Sequence, residues 1–390
     1  MEAYNYDEIR PYNDSEIKEV IARNIKDEEF LQVVKFLYQD KMDAVLKLLP
    51  TLSTIRDFQM EIISNLILSN HEKTGDGIEI SGLENISHDK KCLFISNHRD
   101  IVLDAGFLNS LLLKNGYDTA QDAIGDNLCA KPWITDMLKL NKSFIVKRSG
   151  TKRDIFEASK RLSAYIRSRI KENLDSIWIA EREGRAKDSN DTAQESVLKM
   201  FSMSAEGNMK ESFKELRITP VSISYEYDSC DYLKAKEFQQ KRDNADFKKS
   251  AADDVRSMGE GITGYRGHVH YEITKCINDE LDEVLDDNAD RATAIEAVKQ
   301  LIDKHIHKGY TIYTHNYVAL EERVGKTIFE NKYTAADKKK FDEYIDSRIE
   351  KIDLENKDYE FLRAKLLEMY SNPLLNQLRV YGMKDELLGL

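Results

Sequence analysis

Between residues 14 and 70 the apolar positions recur at helical spacing. Phe30, Leu31, Val34, Leu37 and Tyr38 form one stripe, and Phe58, Ile62, Ile63 and Leu66 form another. Asp14-Ser15-Glu16-Ile17 offers an N-cap before the first of these helices. The stripes read as core, with a membrane-facing surface as the alternative. From Gly77 the texture changes to short apolar runs: Ile78-Glu79-Ile80, Leu93-Phe94-Ile95, Phe144-Ile145-Val146, Ile177-Trp178-Ile179-Ala180, Val221-Ser222-Ile223-Ser224 and Val269-His270-Tyr271-Glu272-Ile273. Several are separated by segments long enough for crossover helices, at 104–115 and 153–171. Strands alternating with helices predict an α/β fold with a mixed or largely parallel sheet and flanking helices. The chain thus divides into an N-terminal helical segment at 1–70, an α/β body at 77–330 and a helical segment at 331–390. Residues 232–260 are polar and read as a helical excursion or a flexible insert within the body. In the last segment Phe341, Tyr344, Ile345 and Ile349 mark a packing face, and Pro373 is expected to break the helix.

Composition narrows the function classes. The 390 residues are 41% hydrophobic and 33% charged, with a net charge of −12 that argues against general nucleic-acid affinity. No run approaches the ~20 apolar residues needed to span a bilayer, and the first residues lack the basic-then-apolar layout of a secretory signal. Cys92, Cys129, Cys230 and Cys276 are scattered without CxxC spacing, as expected of reduced thiols. A cytoplasmic protein is expected, in peripheral contact at most with the inner face of the cytoplasmic membrane. The charge is uneven: Lys131 to Lys187 holds 15 Lys and Arg against 7 Asp and Glu. One basic block in an acidic chain suggests a local anionic ligand, although its helical cations read better as a solvated face.

Four segments carry candidate chemistry. Phe94-Ile95-Ser96-Asn97-His98-Arg99-Asp100 ends a strand with a histidine, and Asp104 follows shortly. Histidine titrates near physiological pH and suits a general base, which a nearby carboxylate can hold in the right tautomer. Arg99 adjoins it as a candidate substrate contact. Phe144-Ile145-Val146-Lys147-Arg148-Ser149-Gly150 ends a strand with two cations, Lys147 a point charge and Arg148 a fork suited to phosphate. Trp178-Ile179-Ala180-Glu181-Arg182-Glu183-Gly184-Arg185-Ala186-Lys187 runs a strand into a charge-dense turn. There Gly184 permits close backbone approach, Arg185 and Lys187 can bind phosphate, and Glu181 or Glu183 can orient a base or hydroxyl. Finally, Ile218-Thr219-Pro220-Val221 puts a proline at a strand start, where it is tolerated and can serve as a rigid wall for an acyl chain.

The order of these segments resembles the glycerolipid acyltransferase family, which includes glycerol-3-phosphate and lysophosphatidate acyltransferases. The resemblance covers about residues 77–231. It implies that a fatty acyl group moves from acyl-CoA or acyl-carrier protein to a hydroxyl of glycerol-3-phosphate, a lysophospholipid or a lyso-aminolipid. His98 would be the general base, Asp104 would orient it, Arg148 with Glu183, Gly184 and Arg185 would position the acceptor's head group, and Pro220 would line the site. The thioester is a co-substrate, and no bound cofactor or metal is implied. Peripheral membrane contact through the helices before Asn70 or the Asp104 to Leu113 face would bring the lipid within reach. Two departures stand out. Five residues separate His98 from Asp104 where the family has four, which leaves Asp100 as a rival partner. The third segment reads Glu-Arg-Glu-Gly-Arg, so Glu181 and Glu183 compete for one role.

Three rival readings follow from the same residues. His98-Arg99-Asp100 matches the opening of a protein-kinase catalytic loop, but Ala105 stands where an asparagine is needed. A metal-dependent hydrolase would draw on His268-Val269-His270, two imidazoles on one strand face, though no third ligand is evident and His305 and His307 diverge on a helix. A non-catalytic lipid-binding protein would keep the basic block and need no titrating histidine.

Overall fold

The computed structural model describes residues 4–329 and 331–388. Its centre is a seven-stranded sheet, β1 (Gly77–Ser81), β2 (Leu93–Ser96), β3 (Gln121–Gly125), β4 (Ser143–Val146), β5 (Ile177–Ala180), β6 (Ile218–Tyr225) and β7 (His268–Ile273), in the order β1-β7-β6-β2-β5-β3-β4. Five neighbouring strands, β6 to β4, run parallel. Among the described residues the single antiparallel pairing is between β6 and β7, so β7 and its parallel partner β1 run opposite to the rest. The mixed, largely parallel sheet expected from the sequence is therefore present.

Strand alternation sorts the core into two layers. On one face Phe94, Trp178, Val221, Ile223 and Tyr271 pack against Phe107, Leu108, Leu111 and Leu112 of the helix Leu103–Lys114. On the other, Leu93, Ile95, Phe144, Ile177 and Ile218 pack against Leu162 and Ile166 of Lys152–Lys171 and Ile302 and Ile306 of Arg291–Lys308. Leu103–Lys114 is buried along almost its whole length. The Asp104 to Leu113 face expected to touch a membrane is thus covered by the sheet. The N-terminal stripes form a core of their own: Phe30, Val34, Phe58 and Ile62 close with Ile17, Ile21 and Leu140.

Two elements, β3 and the helix that contains Pro373, depart from the sequence pattern. β3 reads Gln-Asp-Ala-Ile-Gly, too polar to register as a strand, yet Asp122 is buried in it. Asn109 makes this possible by donating its Nδ2 at 3.0 Å to both carboxylate oxygens of Asp122. The polar stretch after Tyr232 forms two helices, Asp231–Asp243 and Ala251–Thr263. Pro373 does not break the last segment: the helix Tyr359–Val380 runs through it. Groups outside that helix hold this turn in place. Asn316 Nδ2 donates to Tyr370 O (2.8 Å), Arg323 donates to Asn372 Oδ1 (2.6 Å), and Asn372 Nδ2 donates to Asp188 O (2.7 Å). Lost helix bonds cost less where neighbours supply others.

Burial pushes the Asp122 carboxyl up to about 8, against the opposing pull of the Asn109 hydrogen bonds. The folded state therefore keeps a proton that the unfolded chain releases near pH 4, and stability falls as pH rises from that value toward 8. Asp122→Asn removes this loss while keeping the shape. It should raise stability by about 1–3 kcal/mol at pH 8, with the gain closing toward pH 4. Thermal unfolding at several pH values checks this, and a gain independent of pH would contradict it.

Candidate active site

In parallel sheets, groups that follow the strands gather at the carboxyl ends. At the end of β2 the buried Asn97 bridges to β6, donating Nδ2 to Ile223 O (2.9 Å) and accepting Ile223 N (2.8 Å). This double bond fixes where the chain leaves the sheet and aims the next residue, His98. Its Nδ1 lies 2.7 Å from Asp104 Oδ2, and its ring meets Trp178 edge-on at 6.0 Å. Trp178 is itself held by an Nε1 bond to Ser96 Oγ (3.0 Å).

Asp104 is fully buried and encircled by donors. Its Oδ2 also accepts Arg99 N (2.6 Å) and Asp100 N (3.0 Å), and its Oδ1 accepts the Tyr225 hydroxyl (3.0 Å). Its backbone oxygen accepts the Tyr271 hydroxyl at 3.0 Å. Asp100 does something else. Its Oδ1 accepts Val102 N and Leu103 N, both at 2.8 Å, and so satisfies free donors at the start of Leu103–Lys114. Burial first, then the Asp104 charge, push the Asp100 carboxyl above its ordinary value. The two aspartates that the sequence leaves as rivals are sorted by geometry: Asp104 faces the imidazole and Asp100 faces the helix. Tyr225 and Tyr271, which the sequence did not single out, sit on the strand faces that meet this helix.

The other candidates disperse. Arg99 does not point at open space: its guanidinium grips Asp191 bidentately at 2.8 and 2.6 Å in a buried pair joined by the Tyr310 hydroxyl. Asp191 lies far along the chain and carries no sequence signal. Lys147 and Arg148 follow β4 at the sheet edge, three strand spacings of ~4.8 Å from β2. From there the half-exposed Arg148 lies across Gly125 and reaches Glu183 at 3.8 Å. Glu183 is exposed on the same rim, beside Gly184, which takes a left-handed φ of +71° with open space around it.

Glu181, by contrast, is buried at 1% exposure and neither carboxylate oxygen has a hydrogen-bond partner among the described residues. Burial first, then the charges of Asp191 and Asp303, push its carboxyl well above the ordinary value. Arg185 turns inward from Gly184 and packs near Asp100 and Asp228. Lys187 is taken up by Glu237 at 2.8 Å. Pro220 does not line the His98 site. It shares a strand face with Ser222, whose Oγ bonds Ile306 O at 2.6 Å, so it points to the opposite side of the sheet from Tyr225.

The paired histidines of β7 do not form a ligand pair. Both ring nitrogens of His270 meet hydroxyls, Ser81 Oγ and Thr311 Oγ1, each at 2.9 Å. His268 instead joins Asp76 and Glu226, whose ligand atoms all lie within 4.8 Å at the rim of the sheet. His305 pairs with Glu280, and His307 Nε2 lies 2.8 Å from Asp191 O.

Comparison with known proteins places this geometry. Residues 77–224 match the family model described as Acyltransferase. The match begins at β1, ends within β6 and contains every candidate residue from His98 to Pro220. No curated protein sequence gives a match. Among solved structures, the 1-acyl-sn-glycerophosphate (LPA) acyltransferase PlsC from Thermotoga maritima aligns over 73% of this chain and 96% of that one, at 12% identity and a TM-score of 0.33. The histidine and the charged turn thus fall inside one matched segment. Residues 77–224 of the chain carry an acyltransferase domain, the kind whose glycerolipid members its motif order resembles.

Proposed function

We propose that the protein moves a fatty acyl group from a thioester, acyl-CoA or acyl-carrier protein, to a hydroxyl of a polar glycerolipid acceptor, with His98 as general base. The observation that carries this reading is the His98 Nδ1 to Asp104 Oδ2 contact at the end of β2, inside the matched acyltransferase segment. Among the described residues nothing hydrogen-bonds His98 Nε2, so that nitrogen is free to meet a hydroxyl. It takes the hydroxyl proton as the oxygen attacks the thioester carbonyl. The tetrahedral intermediate then collapses to an ester, and the departing thiolate takes the proton back from Nε2. Asp104 holds the imidazole with its Nδ1 hydrogen inward and stabilises the imidazolium that forms between the two transfers. The donors from Arg99, Asp100 and Tyr225 keep that carboxylate from rotating away.

Glycerol-3-phosphate, a lysophospholipid and a lyso-aminolipid all fit this chemistry, and the cations on the β4 and β5 turns favour a phosphorylated acceptor. Among the described residues no helix is long and apolar enough to cross a membrane. Contact with a lipid surface is therefore proposed as peripheral.

His98→Ala should lower turnover about 10²–10⁴-fold, the usual contribution of a positioned base, with little change in Tm. Thiol release from acyl-CoA or acyl-carrier protein, measured against each of the three acceptors, checks this. Retained turnover would sink the mechanism and leave a lipid-binding role. The two aspartates should separate by readout. Asp104→Asn should cut kcat by at least tenfold, because an amide cannot accept the same set of donors around the ring. Asp100→Ala should chiefly lower stability, by about 1 kcal/mol, because it removes the acceptor of Val102 N and Leu103 N at the helix start. A kcat loss in Asp100→Ala as large as that in Asp104→Asn, without loss of stability, would reverse the assignment.

A further inference from the structure

The rim of the sheet holds a second cluster of donor atoms, apart from the His98 turn. Asp76 stands before β1, Glu226 follows β6 and His268 opens β7, and one ligand atom of each lies within 4.8 Å of the others. Backbone bonds lace the three stretches together: Asp76 N donates to Gly267 O (2.9 Å) and Glu226 N donates to His268 O (2.8 Å). Side chains reinforce them. Glu226 Oε2 accepts His268 N at 2.9 Å, and Asp76 Oδ2 accepts the Tyr265 hydroxyl. Gly267, at a φ of +62°, makes room for the Glu226 carboxylate, since a Cβ there would lie 2.4 Å from Oε2.

The protein does not answer the charge of this cluster. Among the described residues no lysine or arginine pairs with Asp76 or Glu226, and none of the three ligand atoms hydrogen-bonds another. Arg266, next to Gly267 in sequence, turns inward and donates to Thr74 Oγ1 and Gly261 O, both at 2.6 Å. Burial first, then the charges of Glu226 and Asp76, push the Tyr227 hydroxyl up to about 12. A separate observation comes from His71, which is 2% exposed and lies against Gly75, beside Asp76. Its Nε2 is sealed from solvent without a hydrogen-bond partner, and burial first of all pushes its pKa down, so the ring is neutral as a metal ligand must be. A divalent cation satisfies uncompensated carboxylates and a neutral imidazole together. Imidazole among carboxylates suits a transition metal, because calcium and magnesium take oxygen ligands while Zn²⁺ accepts both nitrogen and oxygen. Bonds of about 2 Å to one ion bring its donors to about 3–4 Å of each other, a small closure from the spacing of the cluster.

We propose that Asp76, Glu226 and His268 form a divalent transition-metal site, suited to Zn²⁺, with His71 behind them as a further nitrogen donor. The site lies outside acyl transfer and supplies no step of it. Its consequence is structural: the ion ties the end of β6 to the start of β7, the two strands whose Tyr225 and Tyr271 hold Asp104.

Calorimetric titration of the full chain, stripped with EDTA and dialysed, tests the site with zinc chloride as the probe and magnesium and calcium chloride as controls. The expected result is a saturable zinc site of micromolar affinity or better, weakened about tenfold or more in His268→Ala and in the Asp76→Asn/Glu226→Gln double variant. Saturating zinc should raise Tm by several degrees in wild type and by less in both variants. His268 is exposed, so its truncation should leave the metal-free Tm unchanged, and the double variant, which keeps the side-chain shapes, carries the test should His268→Ala fold poorly. Equal zinc affinity in wild type and both variants would place the ion on other groups, the four free cysteines among them, and overturn the site. No zinc binding below millimolar concentration, or tighter binding of magnesium or calcium than of zinc, would overturn it as well. His98→Ala should bind zinc as wild type does, which keeps this result separate from the turnover assay.

Discussion

A buried carboxylate that must be satisfied on every side organises this molecule. Asp104 has no exposure, and the donors it needs come from three places at once: the His98 turn after β2, the Tyr225 hydroxyl at the end of β6, and the imidazole itself. A buried charge without such partners would cost several kcal/mol. Those bonds tie the start of Leu103–Lys114 to the sheet, and the same helix supplies the apolar face that closes one layer of the core. The geometry that aims His98 is therefore also the geometry that seats the helix. Chemistry and packing share one set of atoms.

A second buried pair underlies the first. Arg99 and Asp191 join the His98 turn to the loop after the charged segment, and Tyr310 binds the same aspartate. Glu181 sits close enough to Asp191 to feel its charge while lacking hydrogen-bond partners of its own. The strand ends of β2 and β5 are thus coupled by electrostatics behind the turn, on the side away from Arg148 and Glu183. The charged turn serves two surfaces: its glutamate faces the rim, and its arginine faces the insert.

How much of this could be read in the sequence depended on whether the signal was local. Six of the seven strands were visible as apolar runs, because burial on two faces demands them. β3 was hidden, since its stability comes from Asn109 answering Asp122 across helix and strand, and no pattern within five residues records that. His98 and the order of the charged segments were legible for the same local reason. The choice between Asp104 and Asp100 was not, because spacing along the chain says little about a turn that doubles back. Arg99 looked like a ligand contact until Asp191 appeared beside it. Pro220 looked like a wall of the site, but strand alternation sends it to the other face. Pro373 shows the same limit, where neighbouring side chains carry a helix past a residue that would end it in isolation.

The placement of β1 bears on how the protein comes into being. Gly77 pairs with His268, and among the described residues no other strand lies beside β1, so the first strand made waits for the last before its ladder can form. The same late strand brings Tyr271, whose hydroxyl holds the backbone oxygen of Asp104. At ~5–20 residues per second of synthesis, that wait is on the order of tens of seconds. Throughout it the nascent chain carries an unpaired strand and an incomplete clamp. High contact order of this kind slows folding and exposes strand edges to wrong partners. The surroundings of Asp104 are thus completed only after a segment beyond residues 77–224 has been made.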